Sequence, residues 1–204
     1  MPIVLNGNGP VTGLTSLNTT VSDTELGYLD GVTSAIQTQI NTAGGLVKIT
    51  DQSFSAVSSV SVNNCFSSTY ENYRVVISNI ISASGQPDVY LRLRVSGSDN
   101  STAGNYRYGR FYYQIYGTNS GSNTNVSDSF FQVAVADTDT AGNVVLDIFQ
   151  PFATARTSLT LLLTGQWFQG HGGQMTVNTS YTGFTFFTSA LNISGTIRVY
   201  GYRN

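Results

Sequence analysis

Residues Leu91-Arg92-Leu93-Arg94-Val95 alternate strictly between apolar and cationic side chains. In an extended chain successive side chains point to opposite faces, so this run puts three apolar groups on one side and two guanidinium groups on the other. A helix would scatter both kinds around its axis, so the pattern selects a half-buried strand. The same period recurs downstream. Val75, Ile77 and Asn79 alternate with Arg74, Val76 and Ser78; Phe131, Val133 and Val135 with Gln132 and Ala134; Met175 and Val177 with Thr176 and Asn178; Ile197 and Val199 with Arg198 and Tyr200. Two runs, Val144 to Phe149 and Leu159 to Leu163, are apolar on both sides, which marks central strands or strands covered on both faces.

Turn-like separators stand between these runs: Ser84 to Pro87, Ser96 to Asp99, Thr118 to Asn125, Asp137 to Asn143 and Gly170 to Gly173. Candidate strands fall near 54–62, 72–80, 89–96, 106–116, 129–136, 143–150, 157–168, 173–179, 183–188 and 194–202. Many strands without crossover helices predict a mainly β domain over 46–204, an antiparallel β-sandwich of jelly-roll type, with an immunoglobulin-like sandwich as the alternative.

Composition narrows the function classes. Charged residues are 10% of the chain, against roughly 25% in an average globular domain. With nine Lys and Arg and a net charge of −2, no broad basic surface is available for phosphates, so nucleic acid is not an expected partner. No run of about 20 apolar residues predicts membrane insertion. The start, Met1-Pro2-Ile3-Val4-Leu5 followed by Asn6-Gly7, does not read as a secretory signal, and the single Cys65 fits a reducing compartment.

The N-terminal part reads differently. Residues 1–22 are too rich in Gly and Asn for a helix and too poor in apolar groups for a core. They are expected to be an extended segment that orders by pairing with other chains or docking on a larger body. Residues 23–45 carry the one helical pattern, capped by Ser22 or Asp23 and ended by Gly44-Gly45. Leu26, Leu29, Thr33, Ile36 and Ile40 form a seam at three-four spacing, coiled-coil-like and short. Gly27 and Gly31 each cost about 1 kcal/mol there relative to Ala, so the seam must be buried, either against identical copies or against the chain's own β domain.

Chemistry-bearing residues are sparse. His171 is the only histidine, in Gln169-Gly170-His171-Gly172-Gly173, and reads as a loop residue; three copies on a trimer axis are the one way it would hold a metal. Cys65 reads as a small buried hydrophobe. Asp137-Thr138-Asp139 opens like a calcium loop, lacks the later Glu, and reads as a hairpin turn. The acids form no paired-carboxylate motif for glycoside hydrolysis. No catalytic residue, metal or cofactor is therefore expected. The aromatics are the remaining candidates. Tyr106, Tyr108, Tyr112 and Tyr116 fall on one face of a regular strand, and Trp167 ends another strong run; they are candidate contacts for a glycan or for a subunit interface.

Two stretches carry a resemblance. Thr24-Glu25-Leu26-Gly27-Tyr28-Leu29-Asp30-Gly31-Val32, continuing to Ile40, resembles a short linker helix of phage tail-fibre proteins. Tyr70 to Val75, Leu91 to Asp99 and Ile193 to Tyr202 resemble a β domain of structural proteins from phages of marine and cyanobacterial hosts. The resemblance implies a non-enzymatic component of a tail fibre or other virion appendage, a homo-oligomer with the trimer favoured, touching a host-surface glycan or protein. Capsid decoration or a connector without receptor binding is one alternative, and a polysaccharide-degrading, tailspike-like enzyme another.

Overall fold

The computed structural model describes residues 44–203 together with Thr24 and Tyr28. The expected extended segment 1–22 and almost all of the expected helix, with its seam of Leu26, Leu29, Thr33, Ile36 and Ile40, lie outside the described residues.

The alternation at 91–95 becomes the strand Asp88–Val95, in which Leu91 and Leu93 are wholly buried and Arg92 and Arg94 face outward. The same rule builds the rest of the chain. In order, the strands are β1 (Gly45–Val57), β2 (Ser59–Val62), β3 (Asn72–Ser82), β4 (Asp88–Val95), β5 (Ser98–Asp99), β6 (Tyr106–Gln114), β7 (Ser120–Asp128), β8 (Phe131–Val135), β9 (Gly142–Phe149), β10 (Ser158–Thr164), β11 (Trp167–Met175), β12 (Gly183–Thr188) and β13 (Ile193–Arg203). The domain is mainly β, and every ladder between these strands is antiparallel.

Two sheets result. The larger runs β1-β13-β3-β9-β10-β11-β6-β7, and the smaller runs β2-β12-β4-β5 with β8 also on β4. Their inner faces share one core. Phe54 of β1 meets Phe186 of β12 edge to face at 6.2 Å, and Phe66 bridges Tyr73 of β3 and Phe184 of β12 at 4.8 and 6.0 Å. At the other end the large sheet curls, so that Tyr106 and Tyr108 of β6 pack on Phe131 of β8 at 4.8 and 6.4 Å.

Three expectations are corrected. Thr118 to Asn125 is not a separator: most of it lies in β7, which pairs with β6. Gly170 to Gly173 is not a turn but the middle of β11, hydrogen-bonded to β10 on one side and β6 on the other. Glycine has little preference of its own, so ladders on both flanks decide its conformation. The expected strand 157–168 instead breaks at Gly165-Gln166, where Gly165 has φ +152°. The doubly apolar runs, now β9 and β10, are central in the large sheet, but they are covered on one face only: Val145, Phe149 and Leu162 are exposed.

Close strand approach fixes the smaller sheet. A Cβ on Gly183 would lie 2.2 Å from the carbonyl oxygen of Val62, a backbone atom that cannot swing aside. Gly183→Ala is expected to push β12 off β2 and to destabilise the domain by about 2–4 kcal/mol, read from denaturant midpoints. An unchanged midpoint would show that β2 moves freely.

Candidate functional site

The even-numbered residues of β6 point inward and the odd-numbered ones outward, because β6 keeps an unbroken register with β11 from Tyr106↔Met175 to Gln114↔Trp167. This parity separates the predicted aromatic group. Tyr106 is fully buried; its hydroxyl donates to the Asn100 carbonyl at 2.6 Å and accepts from the Leu93 N–H at 3.1 Å, and burial drives its pKa up. It is a core residue, available neither to a ligand nor to a partner chain. Tyr108 is half-buried against Phe131, with its hydroxyl 3.4 Å from the Asp128 carboxylate; burial and then that carboxylate push its pKa up to about 12. Tyr112 and Trp167 meet edge to face at 5.8 Å. Tyr116 lies beyond the end of β6, is 78% exposed, and does not join the others.

The outward face is shaped by glycine. Gly109 of β6 and Gly172 of β11 are cross-strand partners, and neither carries a side chain to fill the surface above them. Gly170 lies beneath the ring of Phe111, which stands 2.3 Å from where its Cβ would be. The result is an outward groove of about 740 Å³, walled by Leu162 and Val145 on one side and by Phe111 and Thr124 on the other. One end is closed by Arg74 and Asp147. Arg74 donates to both carboxylate oxygens of Asp147 at 2.8 Å, and the Tyr202 hydroxyl donates to the same carboxylate at 2.6 Å. Burial raises the Asp147 pKa, but the hydrogen bonds and charge of Arg74, with the Tyr202 hydrogen bond, outweigh it and leave the group below the usual carboxylate value.

Beneath the groove, the inner faces of β6 and β11 bound a smaller cavity of about 260 Å³. Its lining includes Tyr112 and Trp167 from the predicted group, together with Asp88, Arg110 and Gln169, which sequence reasoning did not single out. The signal for Arg110 was present: period two places it between Tyr108 and Tyr112 on their face.

His171 occupies the inner face of β11 and is buried, so the expectation of a loop residue is corrected. One ring nitrogen, Nδ1, lies 2.8 Å from the Gln132 carbonyl, and the other, Nε2, lies 2.9 Å from Gln169 Oε1. Burial, then the nearby Arg110 cation, lower its pKa to about 4 against the pull of the carbonyl. Cys65 is a buried thiol in contact with the Val62 carbonyl, and burial pushes it up to about 12, far from a nucleophilic thiolate. The acids are dispersed, each on a partner of its own: Asp99 on Arg94, Asp147 on Arg74, Asp128 on Asn125, Asp88 on Gln132. Asp137 accepts from the Thr138 N–H at 2.6 Å, closing its own turn. No group of three or more His, Cys, Asp or Glu side chains is assembled among the described residues.

Comparison with known proteins adds no family: no family model and no curated protein matches the chain.

The His171 environment makes stability depend on pH. The folded value of about 4 lies below the ordinary 6.5, so the neutral imidazole is the form the fold accepts. Its contribution is complete above pH 6.5 and is lost as pH falls towards 4. Between pH 7 and pH 4.5 the domain should lose about 2–3 kcal/mol from this residue. The depressed Asp147 value acts at lower pH, below this window. Denaturant unfolding at the two pH values checks this: His171→Gln should flatten the difference, and an equal slope in the variant would refute the assignment.

Proposed function

We propose that this chain is a structural module of a phage tail fibre or comparable virion appendage, assembled as a homo-oligomer with three copies favoured. Its β domain is read as a jelly roll. Supporting that reading, β1-β13-β3-β9 and β2-β12-β4-β8 have the strand order made when two Greek keys fold over each other. The hairpins β6–β7 and β10–β11 then extend one of the two sheets.

The observation that carries the assembly reading is the outer face of the large sheet. Central strands β9 and β10 present Val145 and Leu162 to solvent, joined by Phe111 of β6, whose ring lies 6.2 Å from that of Phe168 on β11. Contiguous apolar surface of this kind marks a contact face. Few charges in the chain oppose such contacts. A seam through Leu26, Leu29, Thr33, Ile36 and Ile40 would hold copies of the domain at high local concentration, so that a face too weak to associate alone becomes occupied. The virion setting is supported by the likeness of the linker helix and the β-domain motifs to phage structural proteins, and the N-terminal segment is the part read as docking on other virion proteins. Capsid decoration would draw on the same surface physics.

Sedimentation of the full chain should give an oligomer. Leu162→Glu, which puts a carboxylate in the middle of the face, should weaken association by about tenfold or more without changing the unfolding midpoint. Removal of residues 1–43 should leave the β domain folded and reduce assembly. A full chain that stays monomeric at high concentration would refute the proposal.

A further inference from the structure

The cavity between the β6–β11 pair and the β4–β8 pair holds donors that the chain itself leaves unanswered. Arg110 Nε and Trp167 Nε1 are sealed from bulk water and have no acceptor. Both side chains line the cavity, with Asp88, Tyr112, Val135 and Gln169. Arg110 enters none of the ion pairs formed among the described residues. Its guanidinium lies 5.3 Å from the centre of the Tyr112 ring, which meets Trp167 at a steep angle of 70°. Neighbouring His171 is held neutral and adds no second positive charge.

Each of these features specifies part of a ligand. A guanidinium that makes no ion pair, and whose Nε lacks an acceptor, leaves room for an anionic one, and a carboxylate fits its planar donors. The indole N–H calls for a second oxygen. Tyr112 and Trp167 offer ring surface for an apolar patch of C–H groups. Asp88 and Gln169 give hydroxyl groups an acceptor and an amide. The Asp88 charge also disfavours a doubly charged phosphate in the same space. About 260 Å³ is below the roughly 300–1,000 Å³ of drug-sized sites, so one ring is accommodated rather than an oligosaccharide chain.

We propose that this cavity binds a single carboxylated sugar, a uronic acid residue at the end of an acidic glycan. The inference goes beyond the assembly reading, and the two fail separately: oligomer mass tests one, ligand titration the other.

Trp167 is the only tryptophan of the chain, so its emission reports directly on the cavity. The full-length protein is titrated with sodium glucuronate, glucose, sodium acetate and inorganic phosphate, with calorimetry in parallel. Glucuronate should give a saturable change, with glucose and acetate each weaker by about tenfold or more. Arg110→Gln should lose a similar factor at an unchanged unfolding midpoint. Arg110→Lys, which keeps the charge but not the planar donor set, should lose part of it and serves if the Gln variant does not fold. Trp167→Phe, followed by calorimetry, should weaken binding while keeping an aromatic ring. No saturable response to glucuronate would overturn the proposal. So would equal affinity for acetate, tighter binding of phosphate, or undiminished affinity in a folded Arg110 variant.

Discussion

Phe131 sits where the two sheets meet at their curled end. Tyr106 packs on one part of its ring and Tyr108 on another, both from β6. From β11, Gly173 comes so close that a Cβ would stand 2.8 Å from the ring. The large sheet can reach the small one here only because β11 is bare of side chains at that point. This contact curls β6 and β11 towards β8, and the small inner cavity follows from the curl. Inside it, the sheets do not close fully around Arg110 and Trp167, and the small cavity remains. Outside it, the glycine pair Gly109 and Gly172 leaves a trough between taller neighbours.

The two surfaces of the same strands therefore differ in character. The outer one is apolar and bounded at one end by a satisfied cluster, Arg74, Asp147 and Tyr202. The inner one is polar and incompletely satisfied. Two arginines of the smaller sheet are well engaged: Arg94 pairs with Asp99 and hydrogen-bonds Ser61 and Asn63, while Arg92 bonds the Ser129 carbonyl and lies 4.6 Å over the Phe187 ring. Against that background, the isolation of Arg110 is informative. Its Nε is out of reach of water and without an acceptor, which lowers stability.

Where side chains alternate in polarity, strand positions were readable from the sequence. Although the alternation from Met175 to Asn178 runs past the end of β11 at Met175, β3, β4 and β13 agree with the expected strands within a few residues. There the burial of one face dictates the conformation, and the residues record which face it is. The pattern fails where partners rather than side chains decide. β7 is Ser, Gly, Asn and Thr over most of its length and has no apolar face to announce it. The glycines of β11 are extended because β10 and β6 hold them so. Parity on β6 was legible, but what each parity faces was not: Tyr106 reaches the core and Tyr112 the cavity because of the curl, which no local run encodes. Gly195 and Gly201 of β13 leave room for neighbouring rings, those of Phe54 and Tyr70.

β7 has one further consequence. It closes the large sheet on one side, nine residues long, and its outer backbone groups have no neighbouring strand within the domain. Lysine, proline, bulges and inward-pointing charge are the usual guards of such a border; Ser120–Asp128 contains no lysine and no proline, and its bulge and its inward carboxylate, Asp128 against Tyr108, both lie at its far end. Along Ser120–Asn125 the sheet is thus left extensible: an incoming strand would lengthen it there by main-chain pairing alone, with no rearrangement of the interior and little demand on its own sequence.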